Sequence, residues 1–418
     1  MQKNFGELYQ QLILPCGALI KNRWMKSAMS EGMATVDHRA TPELVRLYQT
    51  WAEGGAGLIV TGNVMVDRRA LGEPRNVVLE NEEGYNQLKQ WTRVGTVHAT
   101  HLWAQLNHPG KQSPKVISRK PVAPSAVPFE GNLAHFFAVP RAMSEQEILE
   151  TIIRFGESAR LAKEVGFTGV QIHGAHGYLV SQFLSPKHNV RQDEWGGTID
   201  NRMRFLIEMY HQIRRQVGNE YPVGIKLNSA DFQKGGFTEE ESTHVIQTIS
   251  KLGMDLIEIS GGTYESPVMI GAGRYFNNEQ SSRTFEREAY FIEFAQKIRK
   301  VCLCPIAVTG GFRTPEVMLD AVKSNATDMI GMARPFVLEP ALPNKLANQE
   351  VIEINRGPIL TGLPFIDKKA LLETIWYEQQ LARMGRGKPP QPKRSAWLTL
   401  IVSVVTTGWQ VFQKRRSS

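Results

Sequence analysis

Cysteine, unbalanced charge and nucleotide-loop signatures are all scarce in this chain, and each shortage removes a class of protein. Only three cysteines occur in 418 residues. Cys302 and Cys304 stand too close together for a routine disulfide and Cys16 stands alone, so no disulfide or zinc framework is expected. Residues 1–10 are polar with no apolar run behind them, which does not match a secretory signal. Together with the cysteine usage this predicts a reducing, cytoplasmic setting. The formal charge is +8, but eight Lys or Arg residues and no Asp or Glu lie from Gln379 onward, and without them the basic residues equal the 41 acidic ones. A neutral body with no basic stripe argues against a nucleic-acid partner, which needs clustered charge to displace counterions.

What remains is an ordinary globular composition, 42% hydrophobic and 22% charged, sufficient for a large core. Short apolar runs recur at residues 24–29, 58–61, 102–106, 169–173, 223–227, 255–259, 305–309 and 328–332. Between them lie helix starts marked by a cap or a first-turn proline: Thr41-Pro42, Ser144-Glu145, Asp200-Asn201, Thr238-Glu239 and Thr314-Pro315. Eight strand–helix units predict a closed (β/α)8 TIM barrel. A doubly wound sheet is the alternative, but its first turn would carry G-x-G-x-x-G, and here it reads Met29-Ser30-Glu31-Gly32. The connections at 107–141, after strand three, and 261–287, after strand six, are long enough to be lids or binding loops.

Residues 1–385 therefore form the expected barrel domain, 386–396 a basic Pro/Gly linker, and 397–412 an uncharged helix between Lys393-Arg394 and Lys414-Arg415-Arg416. Sixteen residues fall short of the ~20 of a bilayer span. Two readings stay open: a helix lying on, or tail-anchored in, an anionic membrane surface with Trp397 and Trp409 at the interface, or a helix packed on the barrel or on a second subunit of a homo-oligomer.

The polar residues that end these strands carry the functional reading. At 170–178 the chain reads V-Q-I-H-G-A-H-G-Y, a buried strand followed by a glycine-loosened loop with His173, His176 and Tyr178. Two imidazoles suit a carbonyl or oxyanion and a phenol can deliver a proton, although a structural histidine or a packed tyrosine would leave the same trace. A metal is not expected, because no further ligands lie nearby. Gln105 ends strand three with a donor and an acceptor suited to a pyrimidine-like edge. Ser30 follows strand one and can donate to a ring oxygen. Lys226 ends strand five, either as a solvated lysine or as a cation that stabilises a reduced cofactor ring. Gly310, Gly311, Ala333 and Arg334 follow strands seven and eight, where barrels commonly bind phosphate on backbone N–H groups.

These residues resemble the old yellow enzyme family, the FMN-dependent NAD(P)H:flavin oxidoreductases or ene-reductases, over roughly residues 12–335. The most specific strings are H-G-A-H-G-Y-L-V-S-Q-F-L-S-P from His173 and N-V-R-Q-D-E-W-G-G-T-I-D-N-R-M-R-F from Asn189. The resemblance implies that His173 and His176 bind a substrate carbonyl oxygen and that Tyr178 protonates the neighbouring carbon. It further implies that Ala28, Met29, Ser30, Gly62 and Gln105 contact the FMN ring, that Lys226 lies near its N1 and O2, and that Gly310, Gly311, Ala333 and Arg334 hold its phosphate. NADH or NADPH would supply hydride and an activated alkene, such as an α,β-unsaturated carbonyl compound, would receive it. Other acceptors or donors (flavin reductase, NADH oxidase, amine or ether oxidation) and a membrane-tethered redox partner are the alternatives. The chain departs from the family at Lys226, where many members have arginine, at Ser30, where many with a paired histidine have cysteine, and at Glu31-Gly32, where many have an aromatic. With no cysteine after Cys304, the iron–sulfur extension of some relatives is not expected.

Overall fold

The computed structural model describes residues 5–261, 280–312, 314–350 and 372–407, together with 352, 357, 359–363 and 366–367. Eight parallel strands close into a barrel: β1 (Trp24–Lys26), β2 (Leu58–Met65), β3 (His101–Asn107), β4 (Gly169–Gly174), β5 (Val223–Asn228), β6 (Leu256–Ser260), β7 (Ile306–Thr309) and β8 (Met329–Met332). Closure is made where Ile330 of β8 pairs with Trp24 of β1, and Met25 of β1 with Leu58 of β2. The expected eight units are thus present. The strand after residue 24 is shorter than its apolar run, because Ser27 onward already turns into a loop, and β2 runs four residues longer, through a register shift between Val60 and Asn63.

Helices α1 (Pro42–Glu53), α2 (Tyr85–Gly95), α3 (Glu145–Glu164), α4 (Ile199–Val217), α5 (Glu239–Lys251), α6 (Gln280–Arg299) and α7 (Pro315–Lys323) surround the strands. Their starts follow local chemistry. Thr41 caps α1 ahead of Pro42, and Ser144 with Glu147, and Thr238 with Glu241, form reciprocal capping boxes on α3 and α5. On α4 the cap is Thr198, two residues before the expected Asp200, since its hydroxyl takes the Asn201 N–H. Thr314 precedes α7 without a side-chain cap. Of the long connection after strand six, residues 262–279 lie outside the described residues, and α6 already begins at Gln280, so the connection is shorter than its sequence suggested.

Alternation along the strands sorts the barrel interior into layers. The lowest is apolar: Met25, Leu58, Val60, Trp103, Leu256, Ala307 and Met329 pack with Leu12, Leu14 and Ile20. The last three belong to an antiparallel hairpin (Leu12–Ile13 with Leu19–Ile20) that covers the N-terminal end of the barrel, tied on by the Cys16 N–H donating to Asp255 at 2.9 Å. Trp103 fills most of this layer because its neighbours are glycines: a Cβ on Gly169 would overlap the indole, and one on Gly224 would come within 2.7 Å of it.

That fit sets a stability test. Gly169→Ala should cost about 1–3 kcal/mol by overpacking, read as a lower denaturation midpoint in urea. In a Trp103→Leu background the added methyl should cost much less; an equal penalty in both backgrounds would mean that the indole is not what the glycine accommodates.

Candidate active site

Above the apolar layer the inward positions become polar. Gln105 donates to Gln171 at 2.7 Å, and Gln171 donates to Glu258 at 2.8 Å. The other oxygen of Glu258 lies 2.9 Å from Lys226 Nζ and accepts from Thr309 at 2.6 Å, and Thr309 in turn meets Ser27 at 2.8 Å. Six strands or strand ends therefore share one hydrogen-bonded layer. Lys226 and Glu258 are buried side chains, 5% and 0% exposed, so the solvated-lysine reading does not hold. Gln171 and Glu258 were not singled out in the sequence, yet both sit at period-two positions, Gln171 two before His173 and Glu258 facing Lys226 across β5 and β6.

The next inward layer carries the rings. His173 is buried at the end of β4, and its Nδ1 accepts the Ala175 N–H at 3.3 Å. In the neutral ring this places the proton on Nε2. The loop then turns through His176, which adopts φ +62, and Gly177, at φ +75. A left-handed histidine is strained by about 1–3 kcal/mol unless held. Here its N–H donates to Asn228 Oδ1 at 3.2 Å, its carbonyl accepts from Gln112 at 2.9 Å, and its Nε2 lies 2.8 Å from Ser260 Oγ. The turn brings Tyr178 back against His173, with ring centroids 4.7 Å apart at 76°, and leaves His176 5.2 Å from His173. Asn63 of β2 donates to the Tyr178 hydroxyl at 3.3 Å. All three residues expected from the sequence thus converge; Asn63, Asn228 and Ser260, which position them, were missed, although Asn228 lies two after Lys226 and Ser260 two after Glu258.

The remaining expected residues form two groups. Met29 and Gly62 are neighbours, since a Cβ on Gly62 would overlap the Met29 carbonyl and the Glu31 carboxylate, and Ala28 packs against the apolar layer. Ser30 instead donates its hydroxyl to Glu73. Glu31 accepts from the Tyr48 hydroxyl and, at 3.0 Å, from the Gly62 N–H. It also lies 3.9 Å from Lys26 Nζ, which packs 4.3 Å from the Trp51 ring. Burial pushes the Glu31 carboxyl up and the Lys26 ammonium down to about 8. In the second group Gly310 and Gly311 follow β7 at φ +103 and +90, and space beside the Gly310 Cα is open. Ala333 precedes the short helix Arg334–Leu338. The Arg334 guanidinium reaches 2.6 Å from Glu373 and packs over Tyr377, both on helix α8 (Leu372–Gly385).

Polar atoms at the ends of β2 and β3 complete the picture. Among the described residues, Asn63 Oδ1, both amide atoms of Asn107 and Gln112 Oε1 are buried without a protein partner. Such groups carry a desolvation cost of about 1–3 kcal/mol each unless a ligand or water satisfies them.

Comparison with known proteins agrees with this architecture. The profile of the NADH:flavin oxidoreductase / NADH oxidase family matches residues 15–353. The chain is 36% identical over 417 residues to the NADH-dependent flavin oxidoreductase iccE of Talaromyces variabilis, covering 91% of this chain and 99% of that protein. It superposes on a 2-naphthoyl-CoA reductase in complex with 2-naphthoyl-CoA with TM-score 0.75 and 25% identity, over 83% of this chain and 53% of that one. An old yellow enzyme homologue from Zymomonas mobilis shares the fold, with TM-score 0.69, 24% identity, and 83% and 94% coverage.

The buried ion pair yields a direct test. Glu258→Gln leaves Lys226 without its counter-charge and should destabilise the protein by about 3–5 kcal/mol. Lys226→Met added to it should restore a large part of that loss in urea denaturation, whereas strictly additive effects would show that the two are not coupled.

Proposed function

Because the chain belongs to the NADH:flavin oxidoreductase / NADH oxidase family, the old yellow enzymes, we propose that it passes hydride from NADH, through FMN, to the activated C=C bond of an α,β-unsaturated carbonyl compound. The observation that carries the reading is the convergence of His173, His176 and Tyr178 directly above the Lys226–Glu258 layer.

The residues present fit FMN. The unsatisfied amide atoms of Asn63, Asn107 and Gln112 suit a ligand rich in donors and acceptors, Lys226 offers a cation to its ring, and the open Gly310 with Gly311 and Ala333 suits a phosphate. When bound, FMN supplies the two-electron relay between the nicotinamide and the alkene. Gln105 and Lys226 would hold its pyrimidine edge, Ala28, Met29 and Gly62 would line the neighbouring face, and Gly310, Gly311, Ala333 and Arg334 would hold the phosphate end. Ser30, engaged by Glu73, serves the ring less directly than a free hydroxyl would.

On the substrate side, His173 donates from Nε2 to the carbonyl oxygen, and His176, anchored by Ser260, braces the same oxygen. Both polarise the alkene so that its β-carbon accepts hydride. Tyr178 gives its proton to the α-carbon. The Asn63 amide, donating to the phenol oxygen, orients the hydroxyl for that transfer. Tyr178→Phe should leave reduction of the flavin by NADH within about threefold of the parent and slow enone reduction roughly 10²–10⁴-fold, measured as separate half-reactions in a stopped-flow instrument. Equal losses in both would remove Tyr178 from the role of proton donor.

We also propose that helix α9 (Ala396–Thr407) rests on anionic membrane surfaces. Its described part is 12 residues, about 18 Å long; no described helix is long and apolar enough to cross a membrane, and residues 408–412 of the expected helix lie outside the described residues. One face, with Ala396, Thr399, Leu400 and Ser403, is buried, and Gln379 of α8 donates to the Thr399 carbonyl at 3.0 Å. The other leaves Trp397, Leu398 and Ile401 44–56% exposed, and the segment leading into the helix carries exposed Arg386, Lys388 and Lys393. An apolar face with a cationic rim suits such an interface. The full chain should co-sediment with phosphatidylserine vesicles more than with phosphatidylcholine ones and lose this on deletion of residues 395–418; equal sedimentation of the truncated chain, or a dimer that hides the face without lipid, would rule the surface out.

A further inference from the structure

At the N-terminal end of the barrel, opposite the rings, the chain leaves α6 and enters β7 through Val301-Cys302-Leu303-Cys304-Pro305. The Val301 and Cys302 N–H groups both donate to the Ile298 carbonyl, at 3.0 and 2.9 Å, which fixes how the turn leaves the helix. From there the side chains alternate. Leu303 is 70% exposed, whereas Cys302 and Cys304 on either side of it are 8% and 3% exposed. The alternation sets the two sulfurs on the same side of the backbone, and they lie 3.7 Å apart, with the Cys302 thiol also donating to the Cys304 carbonyl at 3.3 Å.

Buried thiols ordinarily act as small apolar side chains, and that role asks for no particular distance between them. The distance observed, that of an S–H···S contact, is also one that a single bound centre can span. A centre bonded to both sulfurs at about 2.3 Å, the usual zinc–thiolate length, would subtend an S–M–S angle of about 107° at this spacing, close to the tetrahedral value. A disulfide, by contrast, needs the sulfurs at about 2.05 Å, some 1.7 Å nearer. The pair thus sits in the geometry of a two-point thiolate ligand and short of that of a covalent bridge. We propose that Cys302 and Cys304 form a bidentate dithiol site for a thiophilic metal or metalloid centre, of the soft class that thiolates select.

The surroundings suit this. Arg299, paired with Asp328 at 2.6 Å, is the cation that bears on Cys302, while Asp328 and Asp255, the latter paired with Arg214 at 2.5 Å, act in the opposite sense and raise Cys304. Hydrogen bonding to Cys304 holds the Cys302 thiol below its ordinary range, and the same contact raises that of Cys304, so the pair ionises in two steps with Cys302 first. Among the described residues no group of three or more His, Cys, Asp or Glu can hold a metal ion. The site therefore supplies two ligands, and the bound centre must bring the rest. A trivalent organoarsenical does so. With phenylarsine oxide two S–H bonds break and two As–S bonds form, the oxide oxygen leaves as water with both protons, and no atom changes oxidation state.

The test uses the full chain, reduced and then freed of reductant. One equivalent of phenylarsine oxide should give a single adduct in intact-protein mass spectrometry. A dithiol such as 2,3-dimercaptopropanol should remove it, while an equal concentration of a monothiol should not, because only a chelate resists monothiol exchange. Cys302→Ser and Cys304→Ser should each abolish the stable adduct, and Cys16→Ser should leave it unchanged. Absence of an adduct on the folded parent, removal by the monothiol, or an adduct surviving in both single variants would each overturn the proposal. The first two comparisons need no variant, so they stand even where a serine substitution impairs folding.

Discussion

The Lys226–Glu258 ion pair is the interaction on which the mouth of the barrel depends. Two opposite charges taken out of water are tolerated only when each is met by its partner and by further hydrogen bonds. Glu258 meets that condition by receiving Gln171 and Thr309 as well as Lys226, so its carboxylate fixes strands on both sides of it. Gln171 then fixes Gln105, and Thr309 fixes Ser27. Everything above this layer inherits its register: His173 and Ser260 are each two residues beyond a member of the layer, on β4 and β6.

The family's chemistry and the local geometry divide the work accordingly. On the proposed reading the polar layer is where the cofactor would be contacted, and the rings above it are where a carbonyl would be held. The β1 loop is fastened separately, by the Glu31 carboxylate between Tyr48, the Gly62 N–H and Lys26. Lysine 26 and Glu31 are both disfavoured as ions by burial, and each is the main reason the other keeps any charge. The β1 loop therefore carries a titratable fastening.

The barrel was legible because parallel strands buried on both faces must be apolar runs, and eight such runs stand out against amphipathic helices. The three rings were legible because glycines and two histidines after such a run are unusual. What the sequence hid were residues whose meaning depends on facing inward. Glu258 lies in an apolar run as an apparent exception, and only closure of the barrel shows that Lys226 answers it. The partners of Ser30 and Arg334 come from Glu73 and Glu373, 43 and 39 residues away, a separation that local pattern does not reach. Thr198 displaced the expected cap by two residues because either position satisfies the same sequence rule.

The hairpin at residues 12–20 and the indole of Trp103, fitted against Gly169 and Gly224, stopper one end of the barrel. A vessel stoppered at one end imposes a traffic rule on its contents. On the proposed reading, whatever reaches the polar floor would come and go by the opposite end, so a spent nicotinamide would have to leave before an alkene could enter. The order of turnover would then be partly a matter of plumbing, decided by side chains at the end of the molecule farthest from the proposed chemistry.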